Sequence, residues 1–202
     1  MSDLERRETP PPAGRLMHTR TTVFRGYLRD DRLWEIEAEL RDTKTFDGLT
    51  AEHVKISAGT PIHQMLLRLT IDDELLVHDV WSSLPHTPFA ECQATQPPLL
   101  NLVGARLGPG WRQAIDEALG KARGCTHVRE LLFNMASAAY QTVAGTRQMQ
   151  IRAAGKENRD TQTVPPYHLG QCIGWDFNGA VVARIWPQFA GWQPIKAPRK
   201  GD

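Results

Sequence analysis

Trp34-Glu35-Ile36-Glu37-Ala38-Glu39-Leu40-Arg41 alternates without a break. Trp34, Ile36, Ala38 and Leu40 point one way, and Glu35, Glu37, Glu39 and Arg41 the other. Period two with one charged side predicts a strand that is packed on one side and wet on the other. Upstream, residues 16–29 are rich in Thr, Val, Phe and Tyr, and Asp30-Asp31 supplies a turn. Downstream, a polar stretch at 43–61 leads to a third strand at 62–71, with His63, Met65, Leu67, Leu69 and Ile71 on one side. Asp72-Asp73 turns it into a fourth at 75–81. Asp79 there shares a side with Val77 and Trp81, which would call for a partner such as Arg20 or Arg68.

The period then changes. After a proline-marked loop at 85–98, residues 99–103 form a helical turn ended by Gly108-Pro109-Gly110. Trp111, Ala114, Ile115, Ala118 and Leu119 predict a short amphipathic helix. Val128, Leu131, Leu132, Met135, Ala138 and Ala139 predict a longer one over 125–144, stopping at Gly145. A flexible loop is expected at 145–166, then a hairpin over 171–186 turning on Asn178-Gly179, the favoured type I′ pair. Strands in a run before helices in a run predict an α+β fold: an antiparallel sheet of two hairpins, helices on one face, and a C-terminal hairpin. A single domain is expected at 16–190, between a disordered tail at 1–15 and a short tail at 191–202.

The 202 residues carry a net charge of +1, which argues against a dedicated nucleic-acid binder. Eighteen arginines stand against six lysines, the pattern of surface ion pairs or of planar contacts to carboxylates and phosphates. No apolar leader stands at residues 1–8, and no apolar run reaches the length of a membrane span. Three cysteines without a CxxC pair read as reduced thiols, so a cytoplasmic location is expected. A small molecule or a partner protein is the expected ligand, rather than nucleic acid or membrane. Phosphate-loop, nucleophile-elbow and zinc-protease motifs are absent from the sequence.

Chemistry concentrates at Gly124-Cys125-Thr126-His127-Val128-Arg129-Glu130. A cysteine at a helix start lies in the positive end of the helix dipole, which favours thiolate. Two residues apart on a helix, Cys125 and His127 diverge by about 200°, so they converge only if Cys125 precedes the first turn, for example with Thr126 as N-cap. His63 reads as a rim histidine of the third strand. Cys92, Cys125, His127 and Cys172 offer four soft ligands for zinc or an iron–sulfur cluster, without the spacing of a zinc motif.

His18-x-Arg20, Gly26-Tyr27-Leu28-Arg29-Asp30, Leu33-Trp34-Glu35-Ile36-Glu37, Asp42-x-Lys44, Gly59-x-Pro61-Ile62-His63-x-Met65 and Arg68-Leu69-Thr70-Ile71-Asp72 resemble, as a set, a bacterial family known as DUF2889. Cys92, Gly110-Trp111, the Gly-Cys-Thr-His motif at 124–127 and Glu130-Leu131-Leu132 continue the resemblance, with Cys172 near His168 at its end. It covers most of residues 16–186 and brings no activity with it. The order of elements is also similar, more faintly, to the NifU, IscU and SufE type of iron–sulfur scaffold. There Cys92 and Cys125 would take two cysteine positions and the third would have no counterpart.

Three kinds of function follow. One is a site of Cys92, Cys125 and His127 holding a transition metal, an iron–sulfur cluster or a reactive thiolate. Another is a metal-free thiol enzyme with Cys125 as nucleophile, His127 as base and Glu130 orienting the imidazole. The third is a non-catalytic binding or accessory protein whose contact surface is the Glu35, Glu37 and Glu39 face.

Overall fold

The computed structural model describes residues 13–156 and 162–193. Most of both expected tails, and 157–161 of the expected loop, lie outside the described residues. In chain order the strands are β1 (His18–Leu28), β2 (Trp34–Lys44), β3 (Gly48–Leu49), β4 (Lys55–Ile56), β5 (Pro61–Ile71) and β6 (Val77–His86). Helices α1 (Gln96–Leu99), α2 (Trp111–Leu119), α3 (Thr126–Ala153) and α4 (Ala180–Ile185) follow, with 3-10 turns between them. The long strands form one antiparallel sheet ordered β1-β2-β5-β6, and β3 pairs with β4 in the polar stretch. The fold is α+β.

Trp34, Ile36, Ala38 and Leu40 of β2 are buried, as are Met65, Leu67, Leu69 and Ile71 of β5. Helices cover this side: Ile115 and Leu119 of α2 and Val128, Leu131, Leu132, Met135, Ala139 and Val143 of α3 complete the same core. The buried Trp111 indole N–H donates to the Leu132 carbonyl at 2.7 Å, which ties α2 to α3 and satisfies the indole donor. On the other side, Glu37 meets Arg25 at 3.1 Å and Arg68 at 3.2 Å across neighbouring strands. Gly26 of β1 lies against Thr142 of α3 so closely that a Cβ on it would overlap that side chain. Only glycine lets helix and strand approach this far.

Three expectations are corrected. Asp79 and Trp81 are exposed, because the β5–β6 register shifts beside Ile71 and the inward series passes from Val77 to Val80 and Leu84. α3 runs through Gly145 to Ala153 into the expected loop, since one glycine costs a helix only about 1 kcal/mol. The C-terminal hairpin is not formed. Asp176 accepts the Asn178 N–H at 3.0 Å and, through its carbonyl, the Gly179 N–H at 2.8 Å. Gly179 is extended (φ −85°) and caps α4, whereas a type I′ turn needs positive φ there. Val182 and Trp186, four residues apart, then bury helically.

Contacts group the chain into two compact units, Met1–Gln148 and Met149–Asp202, where the sequence predicts one domain at 16–190. The second unit has its own small core of Leu169, Val182, Trp186 and Phe189, with Trp175, Phe177 and Ile185 packed against it. Among the described residues no helix is long and apolar enough to cross a membrane.

Candidate functional site

The apolar side of the sheet changes character at one end. On β2 the inward positions run Trp34, Ile36, Ala38, Leu40 and then Asp42, which is only 3 % exposed. In register, Asp42 faces Arg20 of β1 and His63 of β5. A row of guanidinium, carboxylate and imidazole thus crosses three strands at the level where the apolar ladder ends. The first turn of α3 brings Cys125, His127 and Glu130 to the same place.

Asp42 is the hub. Arg20 grips it with both arms, Nε on Oδ1 at 2.8 Å and Nη2 on Oδ2 at 2.7 Å. His18 Nε2 lies 3.0 Å from Oδ1, and His63 Nδ1 3.0 Å from Oδ2. A carboxylate has about four lone-pair sites, and these four contacts occupy them. Burial by itself pushes the Asp42 carboxyl up, but the hydrogen bonds and charge of Arg20, with His18 and His63 adding to them, hold it well below the usual carboxylate range. Asp42 is therefore ionised and can only accept. His63 must carry its hydrogen on Nδ1, which leaves Nε2 a bare base. Burial lowers the His63 pKa, outweighing the opposing pull of Asp42, so the ring is neutral at pH 7.

Cys125 caps α3: its carbonyl accepts the Arg129 N–H at 3.1 Å. The cap is Cys125 itself, one residue before the expected Thr126, and this places the thiol ahead of the first turn. Its Sγ lies 3.6 Å from His127 Nδ1. Burial raises the thiol pKa, while the His127 hydrogen bond and the backbone N–H groups of Val128 and His127 lower it more, leaving it below its ordinary value. The other nitrogen of His127 lies 3.9 Å from Asp42 Oδ2, beyond hydrogen-bond length. The His63 and His127 rings lie against each other, centroids 4.0 Å apart and tilted by 38°.

Glu130, expected to orient His127, instead accepts Arg20 Nη1 at 2.8 Å. Arg20 thereby ties β1 to both β2 and α3, and the carboxylate beside His127 is that of Asp42, 3.9 Å from Nε2. Cys92, in the turn after β6, lines one cavity of about 730 Å³ with Cys125, His127, His63, Phe89 and Arg123. Cys172 belongs to the second unit, where it is exposed.

Among the described residues, no group of ligand atoms close enough to hold a metal unites Cys92, Cys125 and His127. Among the described residues, the group whose ligand atoms approach one another is Asp42, His63 and His127, within 4.8 Å, and it contains no cysteine. Two histidines and a carboxylate are a familiar iron(II) ligand set. Here the carboxylate is fully engaged and Arg20 lies on it, so a cation would have to displace a guanidinium. That His18, Arg20 and Asp42 form one network is not legible in the sequence, because each stands near a strand end. Their shared signal is parity, since Asp42 continues the inward series of Leu40 and His63 that of Met65.

A family model described as a protein of unknown function, DUF2889, matches residues 18–141. No curated protein and no solved structure matches the chain. The matched stretch spans more than half of the chain and takes in every member of the Asp42 network, and the chain belongs to the DUF2889 family.

Proposed function

We propose that this protein is a thiol enzyme in which Cys125 is the nucleophile and His127 its acid–base partner, acting on the carbonyl carbon of a small ester or thioester. The observation that carries this is the 3.6 Å approach of Cys125 Sγ to His127 Nδ1 at a capped helix start, opening on a cavity of about 730 Å³. That volume suits a small molecule. The thiol proton rests on His127, the thiolate adds to the carbonyl carbon, and collapse expels the leaving group, which takes the proton back from His127. Water then attacks the S-acyl cysteine with His127 as base, releasing the acid and restoring the thiolate. Asp42 stabilises the charged imidazole and, through Arg20 and Glu130, holds the start of α3 over the sheet.

The test uses p-nitrophenyl acetate as an activated substrate, with mass spectrometry of the quenched protein. One acetyl group should appear on Cys125, and His127→Ala should slow its formation by about 10²-fold. Acetylation spread over lysines, with Cys125 unmodified, would rule the proposal out.

A further inference from the structure

Thr126 lines the cavity of Cys125 and also a second, smaller hollow of about 330 Å³ formed with Arg112, Arg129, Glu130, Phe133 and Asn134. Two guanidinium groups flank one ring there: Arg112 lies 4.9 Å and Arg129 5.8 Å from the Phe133 centroid. Their charges are unequally matched. Arg129 reaches Asp116 through Nη2, and Glu130 is engaged by Arg20. Arg112, exposed at the start of α2, meets no carboxylate among the described residues. The Nε of Arg129 is buried without an acceptor. The hollow therefore gathers two guanidinium groups, that of Arg112 without a carboxylate partner, beside the Glu130 carboxylate that shares Arg20 with Asp42 and the neutral Thr126 and Asn134 side chains. Arginine forks match the paired oxygens of carboxylate and phosphate.

We infer that this hollow binds an oxyanion, a carboxylate or a phosphate, borne by the molecule whose reacting carbon meets Cys125. As a substrate handle it rests on the thiol-enzyme proposal; as an anion site it does not. Four helical residues separate Cys125 from Arg129, a rise of roughly 6 Å, so the substrate is one whose anionic group stands at least that far from its reacting carbon. The aromatic wall of Phe133 and the neighbouring guanidinium groups suit a flat or extended acid.

Isothermal titration calorimetry with inorganic phosphate and, separately, with benzoate tests the site without any chemistry at Cys125. At low ionic strength one or both should bind saturably, one per chain, and Arg112→Gln should weaken that binding by about tenfold or more, the worth of one charge-assisted hydrogen bond. Arg112→Lys should fall between, keeping the charge and losing the fork. Binding of phosphate alone marks a phosphorylated substrate, and binding of benzoate alone a carboxylic acid. Cys125→Ser should leave both affinities unchanged, so a failed acetylation experiment and a failed anion site are told apart. If neither anion binds, or if Arg112→Gln binds as tightly as the wild type, the inference is overturned.

Discussion

Arg20 and Asp42 face each other as register partners across β1 and β2, with both guanidinium arms on both carboxylate oxygens at 2.8 and 2.7 Å. The same guanidinium reaches Glu130 on α3. One side chain therefore joins the sheet edge, the buried carboxylate and the helix that carries Cys125. Arg20→Met should leave Asp42 buried without its main counter-charge. Removing one partner of a buried pair costs about 3–5 kcal/mol, and because Arg20 is a third exposed the expected loss is smaller, about 2 kcal/mol. Urea denaturation at pH 7 measures it. A loss near zero would mean that Asp42 is held by its histidines alone.

The same network sets the acid stability. Asp42 has its folded-state pKa depressed, so its contribution is complete above the ordinary carboxylate value near 3.9 and is lost as pH falls below that toward the folded-state pKa. His63 also has a lowered pKa, because burial disfavours its charged form. Its contribution is complete above the ordinary histidine value near 6.5 and declines as pH falls through that region. Melting temperature against pH should therefore fall in two stages. Asp42→Asn should flatten the lower stage, and His63→Gln the upper one. An unchanged profile in both variants would contradict the assignment of these two groups.

The strands β1, β2, β5 and β6 and helix α2 are legible in the sequence because alternation and helical spacing are local patterns. Ile36, Leu67 and Ile115 each announce their burial within a few residues. The Asp42 network is not legible in that way. It joins residues 22 positions apart on two strands and 110 positions apart between β1 and α3, and a lone polar residue at a strand end looks like an exposed rim. The approach of Cys125 to His127 is legible in the sequence only as a conditional, which turns on the cap position. One helical turn puts Glu130 near His127 in sequence, while an arginine from β1 claims it in space. Around Asn178-Gly179 the turn chemistry serves a hairpin or a helix entry equally well, and the burial of Val182 and Trp186 settled it as a helix.

Gly26 reports on the seating of α3. A methyl group there meets the Thr142 side chain, so Gly26→Ala should cost about 1–3 kcal/mol through overpacking. Thr142→Ala should restore only part of this, because the Thr142 Cβ itself would lie 2.7 Å from the added methyl. Thermal melts of the single and double variants give the coupling. Full additivity would show that the two residues do not press on each other.

The rate of Cys125 alkylation by iodoacetamide as a function of pH tests the thiolate–imidazole pair most directly, read residue by residue by mass spectrometry with Cys92 as the reference in the same cavity. In the wild type the Cys125 rate should rise at a pH below the ordinary cysteine value of about 8.5. His127→Ala should move that rise upward, while Cys172→Ser leaves it in place. If Cys125 titrates at or above the ordinary value and His127→Ala changes nothing, or if a stoichiometric metal ion copurifies with the protein and is lost with Asp42→Asn, then Cys125 is not the nucleophile and the Asp42 network serves a metal instead.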